Sequence, residues 1–166
     1  GPWDMGGSWS STGIEGIHRF INRMWTLILE ERELPTEAAP AEEVSALRRM
    51  THKTIKRVTA DLYAFRFNTA LAALMEFNNY LLKAKEGHVF GTAAWAEALR
   101  SLVLMIAPIM PHVAEELWEG LGGAYSVHTQ AWPRFDEQLA ADEVITLVVQ
   151  VNGRVRARLS VPADIS

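Results

Sequence analysis

Residues 9–25, WSSTGIEGIHRFINRMW, decide how the rest of the chain is read. Within them Thr12-Gly13-Ile14-Glu15 matches the capping box, in which a Thr hydroxyl and a Glu carboxylate three residues on satisfy orphan backbone amides reciprocally. Ile14, Ile17, Ile21, Met24 and Ile28 then recur at helical spacing, which predicts a helix opened by Thr12 and carried to about Glu33. Arg19, Asn22, Arg23 and Trp25 ride on that helix. Ahead of it, Gly1 to Ser11 is rich in Gly, Ser and Trp and reads as a connecting loop. Behind it, Leu34 to Pro40 reads as a mobile link because it holds both Pro35 and Pro40.

Working outward, a second helix is expected from about Ala41 to Phe65. Val44, Leu47, Thr51, Ile55, Val58 and Leu62 fall on one side of it at ~100° per residue. A third is expected from Asn68, a good N-cap residue, to the stop at Lys85-Glu86-Gly87. The fourth starts at Thr92 and is apolar around most of its circumference between Leu102 and Met110, which suits the centre of a bundle. Pro108 and Pro111 each remove an amide donor, so the helix must kink or restart before Val113 to Gly120. Long helices joined by short links predict a helical bundle over residues 12–122.

After Gly122 the pattern changes. Residues 123–143 read as a linker, and 144–166 as a β-hairpin unit. Ile145 to Val151 and Arg154 to Val161 alternate with period two around Asn152-Gly153. A three-residue loop, pairing Gln150 with Arg154 and Val149 with Val155, gathers the apolar residues on one face and is the expected register. A lone hairpin is marginal in water, so it must pack on the bundle or on further sequence.

Composition bounds the function. At 166 residues and 49% hydrophobic, with six Trp, the chain can bury a real core. It has no cysteine, which excludes disulfides and thiolate metal sites and fits a reducing, cytoplasmic setting. No apolar run is suited to a bilayer. The net charge of −4 weighs against nucleic acid as a partner, yet a local basic face can bind RNA while acids elsewhere hide it.

Such a face lies in THKTIKRVT, residues 51–59. Arg49, Lys53 and Lys56 cluster opposite the apolar side of the second helix, flanked by His52 and Arg57. A stripe of this kind can follow an RNA backbone without reading its sequence. The plain alternative is the solvated charged face that most amphipathic helices carry. Arg19 and Arg23, one turn apart, suit an extension of the stripe, while Asn22 and Arg23 equally suit pinning the first helix to its neighbours. Trp25 is expected in the core beside Met24 and Ile28, with base stacking the lesser option. Arg66 suits either a buried hydrogen bond or a phosphate. The histidines His18, His52, His88, His112 and His128 show no paired metal-ligand spacing. Glu115 and Glu116 point apart on their helix, which disfavours a catalytic pair. Arg154, Arg156 and Arg158 share one hairpin face and suit RNA or solvent equally.

Taken in order, these segments resemble the C-terminal part of bacterial leucyl-tRNA synthetases, class I aminoacyl-tRNA synthetases. The resemblance rests on Gly1-Pro2, Trp9-Ser10, Thr12-Gly13-Ile14-Glu15-Gly16, Arg19-Phe20, Asn22-Arg23 and Trp25. It continues through His52-Lys53-Thr54-Ile55, Arg66-Phe67-Asn68-Thr69-Ala70, Ala107-Pro108, Pro111-His112, residues 114–118 (AEELW) and residues 149–153 (VQVNG). It implies a mainly α fold, the anticodon-binding helical bundle with a short C-terminal β-hairpin. Gly1 to Ser11 would join a catalytic domain, and residues 144–166 would open a small C-terminal domain.

The resemblance further implies a monomeric tRNA-docking module, partnered by leucine tRNA and the rest of the synthetase. ATP and magnesium would belong to that parent enzyme, because HIGH-like and KMSKS-like signatures are absent from this sequence. No cofactor, metal or catalytic residue is therefore assigned to this piece. Valyl and isoleucyl enzymes share the bundle, and a helical protein-interaction module is the reading from a different class. Because leucine tRNAs have varied anticodons, backbone and shape contacts are expected more than anticodon reading.

Overall fold

The structure, a computed structural model, describes residues 11–141, 144–151 and 154–162, with side chains placed from residue 14 to 141. Gly1 to Ser10 lie outside the described residues, as do Asn152 and Gly153. The helices are α1 (Ser11–Leu29), α2 (Ala41–Tyr63), α3 (Phe67–Ala84), α4 (Ala93–Ile106), α5 (Pro111–Gly120) and the single turn α6 (Glu137–Ala140). A short 3-10 helix, Val127–Thr129, lies between α5 and α6. Two strands, β1 (Val144–Val151) and β2 (Arg154–Pro162), end the described chain.

The α1 helix departs from its expected bounds at both ends. It begins at Ser11, so Thr12 sits inside the first turn rather than at the cap. It stops at Leu29, not Glu33, because the buried Lys85 reaches its last turn. The Lys85 ammonium donates to the carbonyls of Thr26 (3.0 Å) and Glu30 (2.9 Å), completing acceptors that a helix end leaves open. The Arg32 guanidinium closes the junction by donating to the carbonyls of Lys85 and Glu86.

The core assembles on the stripes that periodicity marks. Leu47, Ile55 and Val58 of α2 meet Leu74, Phe77 and Leu81 of α3, and Met24 and Leu27 of α1, all essentially dry. The apolar helix α4 is the most enclosed, burying Trp95, Leu99, Leu102, Val103, Met105 and Ile106. Thr92 caps it by accepting the Trp95 amide, at 3.2 Å. After Ile106 the chain leaves the helical path, and α5 restarts with Pro111 in its first turn, where a missing amide costs nothing.

Two helix ends use the same device with different residues. At α5, Gly122 takes φ +70°, and the amides of Gly122 and Gly123 return to Glu119 (2.8 Å) and Trp118 (2.9 Å), a Schellman cap. At α2 the amides of Phe65 and Arg66 return to Leu62 (3.0 Å) and Asp61 (2.8 Å), but the left-handed residue is Phe65, at φ +54°. A side chain there costs ~1–2 kcal/mol that glycine would avoid. The turn is so tight that α3 starts at Phe67 with Arg66 before it. Asn68 is therefore inside the helix and is not its cap.

Short links impose an up-and-down course. Arg23 meets Asn79 and Thr26 meets Lys85, so α1 and α3 run the same way. Between them in sequence, α2 runs opposite, with Arg57 against Glu76. The segment 123–141, read from sequence as a linker, crosses back over α2 as a strap. Trp132 Nε1 donates to Thr59 Oγ1 at 2.9 Å, and the Asp136 amide donates to His52 Nδ1 at 3.0 Å. Asp136 then caps α6 through the amides of Gln138 and Leu139.

The strands pair antiparallel, and the register differs from the expected one. Val151 is opposite Arg154 and Gln150 opposite Val155, so the loop has two residues, not three. A register shift between Val149 and Gln150 then sets Val149 against Ala157, Leu147 against Leu159 and Ile145 against Val161. The extra residue lies within β2 as a bulge, which restores apolar-to-apolar pairing below the turn. Among the described residues no helix is long and apolar enough to cross a membrane.

Candidate nucleic-acid interface

The expected basic stripe on α2 divides in the structure. Lys56 and Arg57 are exposed, and Arg49 and Lys53 are half-buried. Each of the two exposed cations meets one acid: Lys56 Nζ lies 2.6 Å from Glu137, and Arg57 lies 2.7 Å from Glu76. Both are surface pairs, worth ~0–1 kcal/mol, so a phosphate can replace either carboxylate at small cost. Arg49 reaches toward Tyr80 of α3. Burial pushes the Tyr80 hydroxyl pKa above its usual 10.0, and the Arg49 charge opposes that rise.

His52 does not belong to this face, which corrects its place in the stripe. It is 5% exposed, with Nδ1 accepting the Asp136 amide. Its Nε2 faces Glu97 Oε1 of α4 at 3.3 Å, off the line of a hydrogen bond, while Arg48 lies 3.4 Å from the same carboxylate. Helical periodicity put His52 at the flank of the cations; the strap, invisible to periodicity, covers that flank. Accepting at Nδ1 leaves the proton on Nε2.

The α1 cations join α2 across α3. Glu76 and Asn79 stand one turn apart on α3, where i and i+3 side chains are neighbours. Glu76 takes Arg57 of α2, and Asn79 Oδ1 accepts from Arg23 of α1 at 2.9 Å. Guanidinium groups from two helices thus flank one exposed face of a third. Beside Arg23 an open groove of about 430 Å³ between α1 and α3 is lined by Gly16, Arg19, Phe20, Arg23, Met75 and Asn79. Gly16 lies on its wall facing open space, since a Cβ there would meet nothing within 4 Å.

Other expectations resolve locally. Trp25 is not a core residue: it is 41% exposed, because the buried stripe of α1 is Phe20, Met24 and Leu27. Ile14, expected on that stripe, is exposed as well. Asn22 lies over His18 on its own helix and does not pin α1; Arg23 does. Arg66 pairs through Nε and Nη2 with the buried Asp61, both at 2.9 Å. Glu115 anchors the turn after α5, accepting from Ser126 Oγ (2.6 Å) and the Val127 amide (3.1 Å). Among the described residues no group of three His, Asp or Glu side chains is placed to hold a metal ion.

Sequence reasoning passed over the aromatic residues around the α2 end. Tyr63 is 85% exposed, Phe65 59% and Phe67 41%, and the two phenylalanines meet edge to face at 5.9 Å. Tyr63, Phe65 and Pro108 line an open apolar groove of about 380 Å³ with Thr59, Leu62 and Trp132. The alternation Tyr63-Ala-Phe65-Arg-Phe67 was the available signal, since three aromatics two apart at a helix end cannot all face one core.

Comparison with known proteins finds relatives for the whole chain. A family described as the anticodon-binding domain of tRNA ligase matches residues 45–166. Over all 166 residues the chain is 50% identical to a leucine–tRNA ligase of Dehalococcoides mccartyi strain 195, covering 20% of that protein. A leucine–tRNA ligase of Rubrobacter xylanophilus is 53% identical over 99% of the chain and 20% of its own length. The chain thus spans about a fifth of these relatives. Among solved structures, a ternary complex of the Agrobacterium radiobacter K84 agnB2 LeuRS with tRNA and LeuAMS aligns with a TM-score of 0.75 and 30% identity. That alignment covers 96% of this chain and 21% of the other.

Proposed function

The chain belongs to the family of anticodon-binding domains of tRNA ligases, and from that premise we propose that it docks tRNA for a leucine–tRNA ligase. The observation that carries this reading is the face made by α1, α3 and α2, where Arg23, Asn79, Glu76 and Arg57 follow one another. With Arg19, Arg49, Lys53 and Lys56, the guanidinium groups of Arg23 and Arg57 gather positive charge on α1 and α2, to either side of α3, in an otherwise acidic chain. Cations on helix surfaces contact phosphates and fix the register of an RNA without reading bases. The relatives, leucine–tRNA ligases along nearly the whole chain, favour leucine over the valine and isoleucine enzymes.

In this reading the bundle orients tRNA, and leucine activation with ATP and magnesium falls to other parts of such an enzyme, in the cytoplasm. Residues 1–11 lead from those parts, and the strands open a further C-terminal domain. The chain's own work is positional: holding a backbone so that the acceptor end is presented elsewhere.

Binding to leucine tRNA over a salt series, with an unrelated tRNA beside it, tests the proposal. Each neutralised phosphate contributes roughly −0.7 to −0.9 to the slope of log K against log salt. Lys53→Ala with Lys56→Ala is expected to weaken binding and make that slope shallower. Unchanged binding in that variant would favour a protein-interaction bundle whose basic face is incidental. Loss of binding on changing anticodon bases alone would replace backbone docking with anticodon reading.

A further inference from the structure

Beyond the cations, aromatic rings run along α2 to its end, and those of Tyr63 and Phe65 stand mostly in solvent. Lys56 Nζ lies over the Phe135 ring, 5.6 Å from its centroid. One turn on, Thr59 holds Trp132 through its indole N–H. Another turn on stands Tyr63, followed by Phe65 and Phe67 with Arg66 between them. The row starts at Lys56, a residue of the proposed RNA face, and ends beside Arg66, whose guanidinium is held by Asp61.

Phe65 is the sharpest part of this pattern. Its position in the α2 cap calls for glycine, as α5 shows with Gly122. A large ring is nevertheless held there at positive φ with most of its area in solvent. A strained residue presenting an exposed side chain is a reason to look for a ligand.

We propose that the groove of Thr59, Leu62, Tyr63, Phe65, Pro108 and Trp132 stacks an unpaired nucleobase of the RNA whose backbone lies along α2. This rests on the tRNA-docking reading and adds a base contact to it. The chemistry is that of single-stranded RNA recognition: flat rings take any base by its face, while neighbouring cations track the phosphates. Tyr63 lies two helical turns, about 10 Å, beyond Lys56, within reach of the same strand. An apolar protein segment would also find area here, but the exposed ammonium of Lys56 at the start of the row, held only by a surface pair with Glu137, favours an anionic partner with planar groups.

The test uses this chain and a single-stranded oligoribonucleotide carrying one 2-aminopurine, whose fluorescence falls on stacking, beside an RNA duplex of equal length. The wild type is expected to quench the probe. Tyr63→Ala is expected to weaken single-strand binding about tenfold, with Tyr63→Phe restoring it and duplex binding unchanged. Phe65→Gly is expected to reduce quenching without lowering Tm, which separates ring loss from misfolding. If the wild type binds duplex and single strand but Tyr63→Ala quenches equally, base stacking is overturned while tRNA docking stands. Base stacking is likewise overturned if Tyr63→Ala leaves RNA binding intact but lowers the uptake of an apolar dye, which would mark a protein-docking face. If the wild type binds no RNA at low salt, both readings fall.

Discussion

The imidazole of His52 and the backbone amide of Asp136 meet at 3.0 Å across 84 positions of sequence. That bond fastens the strap to the middle of α2, beside the cations proposed to meet RNA. His52→Ala leaves the Asp136 amide without its acceptor, and a buried unsatisfied group costs ~1–3 kcal/mol. We expect a loss of about 2 kcal/mol in urea unfolding, with faster hydrogen exchange at Asp136. His52→Asn, whose carbonyl oxygen can take the place of Nδ1, should lose less.

Lys85 supports the other end of the bundle. Its ammonium, from a residue 5% exposed, donates to the carbonyl of Thr26 in the last turn of α1 and to that of Glu30 just past its end. Hydrogen bonds to charged groups contribute ~1.5–3 kcal/mol. Lys85→Met, which keeps the stem, should lower stability by about 2 kcal/mol. Exchange measurements should locate the loss in Thr26 to Arg32 rather than across the bundle.

The left-handed turn at Phe65 separates backbone from side-chain effects. Phe65→Gly removes a strained φ and an exposed ring together, so its stability should stay within ~1 kcal/mol of the parent. Phe65→Val, β-branched at positive φ, should be the less stable of the two by ~1–2 kcal/mol. Thermal melts of the pair decide it; equal stabilities would show that the cap has rearranged.

Alkaline stability should depend on Tyr80. Burial raises its folded pKa above the unfolded value of 10.0. The folded state therefore retains a proton that the unfolded state loses, and this contribution, present below pH 10, disappears as pH rises through the folded pKa. Melts taken from pH 9 to pH 11 should fall more steeply for the wild type than for Tyr80→Phe. Parallel curves would mean that other groups control the alkaline limb.

The contacts across α3 predict a graded effect on RNA. Arg23→Ala and Arg57→Ala should each make the salt slope shallower by roughly 0.7–0.9 if each meets one phosphate. Asn79→Ala, which only positions Arg23, should weaken binding less and leave the slope nearly unchanged.

What was legible from sequence followed from periodicity. The buried stripes of α2 and α4, the Thr92 cap and the restart at Pro111 all depend on residues close in sequence, where spacing dictates geometry. Two misplacements share one cause, contact between distant segments. Lys85 ends α1 early from more than fifty positions away, and the strap buries His52 from eighty-four. Trp25 was drawn toward the core by its neighbours, although one position on a helix turns a side chain by about 100°. The hairpin turn failed differently: alternation marks apolar pairing correctly, but it cannot say whether an extra residue sits in the loop or in a strand. Of the proposed interface, the cations were readable because charge patterns survive without structure; the role of Asn79 and Glu76 in joining α1 to α2 was not.

The strap also alters the statistics of the chain beyond it. Counted from Gly122, the end of the α5 cap, Val144 is 22 residues away; counted from Ala141, at the end of the strap, it is three. Fastening residues 132–140 to α2 therefore brings the first residue of the hairpin within three positions of a segment held on the bundle. A single imidazole, an indole and a surface ion pair thereby shorten the tether between two parts of the chain.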